Sequence, residues 1–450
     1  MKPISPTNIK WFLSILGNFF RRIVKFADSY PYRMLGLIII FGIILSVLII
    51  AGDPPTMKSG STDSWWTIAL NLIHGQGYSL CIPRYFPFCS ATNQTTAARE
   101  PVPVLLFSAV ALVSGESLWA ATFVEFVIYL GVLVAVFFLT REWASTRAAL
   151  LAAFLWSFYL PAQDLLSQVS GDLFAALNVT VGMLFFMRAR RTNRVRDWLI
   201  SGIALGLAVM SRSAVLAVAA ILIVGQVVDD VWINRKKHKQ ALKPFLILSG
   251  LLFLFMAPWF VRNQISFGRP IIGSSLVGYN MFRQGHLFEE ENGLFRYVGG
   301  VEGIEAVDEL VVRQKNSLIG TENEAQMDVI YRNEAIRFIS ANPVKYILFS
   351  GYHFFPLWFN WGIPEGDGYK TSYLGYALML LQATLLVFAI VGIRGSLYPT
   401  WPLWGGIVII SLAYMMVESQ LRYLVPVIPL VMSLSAAGWQ KLFKTYPHFR

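Results

Sequence analysis

Charge-free apolar runs recur along this chain, separated by short basic segments and by longer polar ones. Met34 to Ala51 gives 18 residues without a charge, close to the roughly 20 that a membrane-crossing helix needs. Similar runs lie near 118–140, 148–162, 171–187, 198–211, 213–229 and 243–260, and again near 344–361, 372–393, 401–418 and 421–438. Together they predict about 11 crossings. The run 102–114 is too short for an easy crossing and overlaps Pro101-Val-Pro103 at its start; it predicts a helix lying in the outer interface. Before the first run, Trp11, Phe12, Ile15, Leu16, Phe19, Phe20 and Ile23 recur at helical spacing among Arg21, Arg22 and Lys25. That predicts an amphipathic helix on the inner leaflet.

Four divisions follow. Residues 1–33 form a cytoplasmic amphipathic segment, and 34–260 a transmembrane module with a first external loop at 52–101. Residues 261–343 form an external loop or small cap domain, with helical patterning near 323–340 that ends at Asn342-Pro343. Residues 344–450 supply the C-terminal transmembrane helices. If 344–361 only dips into the membrane, Lys441 and Lys444 fall inside.

Composition fits this reading. Apolar residues make up 56% of the 450 and charged residues only 14%, and mean hydropathy is +0.55. A soluble chain carries roughly 25% charge. Too little polar surface remains to cover a soluble enzyme, and a disordered chain would need low hydrophobicity. The net charge of +11 could suggest nucleic acid, but its distribution does not. Segments 1–33, 141–147, 188–197 and 229–243 hold 18 of the 37 basic residues. They alternate with apolar runs as cytoplasmic loops do, so no nucleic-acid partner is expected.

The chain has no GxxxxGK phosphate loop and no HExxH zinc pair. Its chemistry is expected at polar residues near membrane depth, where burial is costly without a partner. Asp63 follows the first span, and Glu100 lies in Arg99-Glu100-Pro101. Asp172 opens an apolar run, Arg212 interrupts another, and Arg262 and Arg422-Tyr423 flank two more. Each has a plainer reading: Asp63 and Asp172 as helix caps, Arg99-Glu100 as a surface ion pair, Glu418 and Arg422 as an i,i+4 pair. In the topology above, however, all of them face one side. Guanidiniums suit phosphate, and a carboxylate can take a proton from a hydroxyl. Cys81 and Cys89, the only cysteines, share the first external loop and are expected to form a disulfide in an oxidising compartment.

The ordered motifs resemble a family. They run from Asp63-Ser-Trp-Trp-Thr-Ile-Ala-Leu-Asn-Leu-Ile-His-Gly-Gln-Gly-Tyr through Arg99-Glu-Pro-Val-Pro-Val-Leu-Leu, Gly115-Glu-Ser-Leu-Trp and Ser170-Gly-Asp172-Leu. Gly202-Ile-Ala-Leu-Gly-Leu-Ala-Val-Met-Ser-Arg212, Ala257-Pro-Trp-Phe-Val-Arg262-Asn263, Ala341-Asn-Pro343 and Arg422-Tyr-Leu-Val-Pro-Val-Ile-Pro429 follow. This set resembles the polyprenyl-phosphate-sugar glycosyltransferases of the glycosyltransferase C superfamily, around family 39. Protein O-mannosyltransferases and the lipid A aminoarabinose transferase belong there.

The resemblance implies an all-α polytopic bundle with external juxtamembrane loops. It implies inverting sugar transfer from a polyprenyl- or dolichyl-phosphate donor to a hydroxyl on a lipid, glycan or protein. Asp63 matches the family's catalytic carboxylate, Asp172 a second acidic position, and Arg212 a basic position near the donor phosphate. Glu100 stands where some relatives carry Lys, and Ser64 replaces the second acid of a paired motif, so metal coordination there is not indicated. No cofactor is required by these residues, which are compatible with a divalent metal without calling for one. The implied location is a bacterial inner membrane with the site on its periplasmic face. A lipid or solute transporter is the alternative from another class, although no internal repeat of the kind transporters often carry is visible.

Overall fold

The computed structural model describes residues 22, 24–57, 62–83, 86–89, 94–235, 238–286, 322–359 and 373–445. The expected amphipathic helix over 11–23 lies outside them except for Arg22, as does much of the external segment 261–343. Among the described residues the chain is all-α, with one isolated bridge between Ser79 and Thr95.

In chain order the first helices are α1 (Pro31–Gly52), α2 (Thr62–Ile73), α3 (Pro101–Ser114), α4 (Leu118–Trp143), α5 (Thr146–Ser157) and α6 (Leu160–Gln163). Then follow α7 (Asp172–Thr192), α8 (Val195–Val209), α9 (Val215–Val228), α10 (His238–Phe267) and α11 (Val277–His286). The last are α12 (Glu324–Ala341), α13 (Pro343–Tyr352), α14 (Phe354–Phe359), α15 (Tyr373–Ile393), α16 (Trp401–Val417) and α17 (Ile428–Thr445). Six helices in the described residues are long and apolar enough to cross a membrane, or seven if the bent pair α5 and 160–167 is one span. The chain is an integral membrane protein.

Differences from the expected crossings have local causes. Apolar run 148–162 bends by 57°, because Pro161 restarts the helix. The break frees backbone groups that water cannot reach, and Gln163 repairs it. Its Nε2 donates to the Ser157 carbonyl at 3.1 Å and to the Tyr129 hydroxyl at 2.7 Å, while its Oε1 accepts from Ser46 at 2.7 Å. Side-chain repair of this kind is what allows a broken helix at membrane depth. Run 344–361 forms two short helices, α13 and α14, of ten and six residues. Helix α3 has 14 residues, about 21 Å long, and packs on α2, where Ser108 Oγ reaches the Ala69 carbonyl at 3.3 Å.

Helix α17 is buried on all sides from Ile428 to Gly438, which is why it tolerates Ser433 and Ser435. It packs so closely on α15 that a Cβ on Gly438 would lie 1.9 Å from the Phe388 carbonyl oxygen. Only glycine permits that approach, the small-residue packing common between membrane helices.

A second core stands apart from the bundle. Phe86, Cys89 and Ala98 from the first loop pack with Leu276, Tyr279 and Phe282 of the α11 region and with Met327 and Tyr331 of α12. The helix expected near 323–340 is α12, opened by a capping box between Asn323 and Gln326. Glu324 locks the two parts together. It accepts from the Thr96 hydroxyl, from the Ala97 amide at 2.8 Å and from the Ser275 hydroxyl at 2.7 Å. This joined layer forms one wall of the cleft described next.

Candidate functional site

Three chain turns converge at one end of the bundle. The first is the start of α7. Gly171 lies so close to the 211–213 turn that an added Cβ would sit 2.4 Å from the Ser211 carbonyl oxygen. The second is the α8–α9 turn, which carries Arg212. The third is the start of α3, where the Val102 amide donates to the Met210 carbonyl at 3.1 Å.

These contacts set the polar side chains. Arg212 Nε donates to Asp172 Oδ1 at 2.5 Å, and Nη2 meets the same oxygen. The Arg212 side chain is 17% exposed and that of Asp172 only 1%, so a nearly dry carboxylate fixes the guanidinium while one edge of it faces the cleft. Glu100 is buried and its Oε1 accepts from the Ser213 amide at 2.8 Å. Arg99 donates through Nε to Ser64 Oγ at 3.0 Å and lies 5.8 Å from the Trp65 ring centre. Tyr78 donates from its hydroxyl to the Arg99 carbonyl at 2.9 Å. Burial, then the charge of Glu100, pushes the Tyr78 hydroxyl well above its ordinary value, so it remains a donor.

The far end of the chain supplies Tyr423, whose ring centre lies 5.3 Å from the guanidiniums of both Arg212 and Arg422. Tyr414 stacks on that ring at 4.9 Å. The result is a cleft of about 420 Å³ whose wall includes Arg99, Glu100, Arg212, Arg422, Tyr423 and Trp65. Such a cationic cleft walled by aromatic rings can hold a phosphate and stack a sugar or apolar face.

The sequence-predicted residues separate into groups. Glu100, Arg212, Arg422 and Tyr423 line the cleft. Asp172 lies directly beneath it, and its Oδ2 has no hydrogen-bond partner among the described residues. Asp63 sits in the first turn of α2, exposed, beside Ser64 and Trp65, rather than at the cap position. Its Oδ1 accepts from the Ser64 amide at 2.7 Å. Arg262 is placed elsewhere: its guanidinium binds the Thr96 carbonyl at 2.8 Å and the Tyr78 carbonyl at 3.2 Å, between the Tyr78 and Trp259 rings. That pins the first loop to α10. Cys81 and Cys89 are joined by a disulfide, Cα to Cα 5.5 Å, in the same loop.

Sequence reasoning passed over Arg99, Trp65 and Tyr414 as site residues. Arg99 was visible as the partner of Glu100, yet it turns away toward Ser64. Tyr414 lies inside an apolar run, and nothing in that run marks it. Among the described residues, no three His, Cys, Asp or Glu side chains converge in a way that could hold a metal ion.

Comparison with known proteins agrees with this architecture. Residues 98–261 match the family model described as dolichyl-phosphate-mannose-protein mannosyltransferase. No curated protein matches the chain in sequence. The fold is similar to that of the Archaeoglobus fulgidus oligosaccharyltransferase in its apo form. The TM-score is 0.56 at 18% identity, over 93% of this chain and 51% of that one. The same enzyme, AglB, solved with an inhibitory peptide and a dolichol-phosphate, matches at 0.56 and 17%, again over 93% and 51%. ArnT from Cupriavidus metallidurans bound to undecaprenyl phosphate gives 0.38 at 12% identity, over 91% of this chain and 79% of that one. The chain spans about half the length of the archaeal oligosaccharyltransferase. The family-model match and the shared fold bear out the resemblance to the glycosyltransferase C superfamily.

Proposed function

We propose that this chain transfers a sugar from a polyprenyl- or dolichyl-phosphate donor to an acceptor hydroxyl, in the cleft between α2, α3, the α8–α9 turn and the 421–424 turn. The observation that carries this reading is the convergence of Arg99, Arg212 and Arg422 on one membrane-end cleft, with Arg212 held by Asp172. Three guanidiniums at such a place suit a lipid phosphate. The relatives add weight: the matched family is described by a dolichyl-phosphate-mannose donor, and AglB was solved with a dolichol-phosphate.

In the proposed step the acceptor oxygen attacks the anomeric carbon. Its proton passes to the Asp63 carboxylate, and the carbon–oxygen bond to the phosphate breaks with its electron pair going to that oxygen. The configuration inverts, and the lipid phosphate leaves with its new charge against Arg212 and Arg422. Preorganised cations aimed at a developing charge are the largest single contribution in many enzymes. Glu100, already bonded to the Ser213 amide, and Tyr423 border the sugar. Asp63 is exposed and so is open to an arriving acceptor. The disulfide in the same loop favours an oxidising compartment, hence the outer or periplasmic face of a bacterial inner membrane. No step here runs through a metal.

The test is sugar transfer by the purified protein in detergent, with labelled polyprenyl-phosphate sugars and hydroxyl acceptors. Transfer with release of polyprenyl phosphate is expected. Tight donor binding without any release would count against a transferase and for a lipid carrier.

A further inference from the structure

We infer that the opposite end of the bundle carries a second site, which takes the headgroup of an aminophospholipid: a phosphate bearing a primary ammonium. This inference does not depend on sugar transfer. Helix α7 links the two ends. It starts at Asp172 beneath the arginine cleft, and Arg190 lies 18 residues on, about 27 Å away, close to the thickness of a bilayer's hydrocarbon core. There a cavity of about 410 Å³ opens, with Glu142, Trp143, Arg190, Arg191, Gln226 and Asp230 among its lining.

The two arginines suit a phosphate. Arg190 spends Nη2 on Asp229 at 2.5 Å and Nη1 on the Pro399 carbonyl at 3.3 Å. Arg191 Nη2 meets Glu142 Oε1 at 2.6 Å. A guanidinium has five N–H donors, so each retains some for phosphate oxygens, which forked donors fit well. The same cavity also asks for a donor. Gln226 is 3% exposed, yet its side-chain oxygen has no hydrogen-bond partner among the described residues. A buried acceptor without a partner is rare enough to need an explanation. Asp230, fully buried, lines the same cavity. An acceptor amide beside a carboxylate fits an N–H-bearing cation. A cavity that takes both a phosphate and an ammonium fits a dipolar ligand of headgroup size.

The surroundings indicate arrival from the bilayer. Trp232, Ile233, Leu397 and Tyr398 are exposed apolar or aromatic residues in the segments that border the cavity. Tryptophan and tyrosine favour the membrane–water interface. The segment Asp229–Ile233 is a π-helical turn, a form that recurs at functional sites.

The test uses the full chain in nanodiscs of equal parts phosphatidylethanolamine, phosphatidylglycerol and phosphatidylcholine, with native mass spectrometry of the lipid retained on extraction. Preferential retention of phosphatidylethanolamine is expected. Arg191→Gln and Gln226→Met should each lower it about tenfold, the effect of losing one charge-assisted hydrogen bond. Arg191 is 66% exposed, so its replacement leaves folding intact even if Gln226→Met perturbs packing. Equal retention of phosphatidylcholine, whose quaternary ammonium has no N–H, or preferential retention of phosphatidylglycerol, would overturn the assignment. So would unchanged phosphatidylethanolamine retention in Arg191→Gln.

Discussion

Asp172 and Arg212 meet through a single carboxylate oxygen, Oδ1, which takes both Nε at 2.5 Å and Nη2 of the guanidinium. The pair is nearly dry on the carboxylate side and open to the cleft on the arginine side. Removing the carboxylate charge leaves a largely desolvated cation without its counter-ion, which typically costs about 3–5 kcal/mol. Asp172→Asn is therefore expected to lower the thermal unfolding midpoint in detergent and to weaken donor binding. Arg212→Lys keeps the charge and loses the fork. It is expected to remain folded and to lose transfer more than stability. Equal stability of Asp172→Asn and wild type would show that the pair does not hold this end of the bundle.

The disulfide gives a prediction about the first loop. Cys81 and Cys89 close a short ring, and removing such a bridge costs on the order of 2–3 kcal/mol. Cys89 belongs to the second core with Phe86, Tyr279 and Met327, so the loss should be felt in that layer. Cys81→Ser with Cys89→Ser is expected to speed proteolysis of the layer around the second core while the membrane helices stay protected. Reductant should reproduce the effect in wild type and add nothing to the double variant.

Glu324 gives a pH dependence. Burial raises its pKa above the ordinary 4.5, against the lowering effect of the Ala97 amide and the Thr96 and Ser275 hydroxyls. The folded protein thus holds this proton more tightly than the unfolded chain does. Stability from this group is fully present below about 4.5 and is lost as pH rises through the raised folded value. The unfolding midpoint of the layer around the second core should fall with rising pH across that window. In Glu324→Gln this part of the slope should vanish. An identical slope in the variant would assign the dependence to another group.

How much of this was legible in the sequence depends on the length scale of the signal. Apolar runs locate helices because each lipid-facing helix must be apolar over its whole length, and α1, α4, α7 and α15 follow their runs closely. The bend at 158–159 was harder to see, since Phe158 and Tyr159 are apolar and the repair comes from Gln163. Arg212 stood out because a charge inside an apolar run demands a partner. That the partner is Asp172, 40 residues away, depends on how α7 and α8 pack, which periodicity does not encode. Arg262 carried the same signal and serves another end: it ties Thr96 and Tyr78 to α10. A charge near membrane depth announces a partner without saying whether the partner is a ligand or a carbonyl.

The topology can be tested directly. In a background with both cysteines replaced by serine, single cysteines at Asn323 and Asn193 should label from opposite sides of the membrane. Asn323 caps α12 in the second core's layer, whereas Asn193 ends α7 among the basic residues. The residue at 323 is expected to react with an impermeant maleimide in intact cells, and that at 193 only after permeabilisation. Reaction of both from outside would remove the reason for placing the arginine cleft on the external face.

Asp63 is the residue on which the proposed chemistry turns. It is an exposed carboxylate in the first turn of α2, followed by Ser64, which accepts from Arg99, and Trp65, which lines the cleft. Its acidic side chain also suits the helix N-terminus, a stabilisation of about 0.3–1 kcal/mol. A hydroxyl is a poor nucleophile until its proton leaves, and general-base assistance contributes roughly 10²–10⁴-fold in rate. The two roles therefore differ in what one substitution does. Asp63→Asn retains a short polar side chain at the helix start and removes the base. It is expected to unfold close to the wild-type midpoint and to bind the lipid donor normally, while losing transfer by at least about 10²-fold. Glu100→Gln, which keeps an oxygen to accept from the Ser213 amide, should lose less. If Asp63→Asn turns over normally and Glu100→Gln does not, the base is Glu100, beside Arg212, and Asp63 serves only the helix.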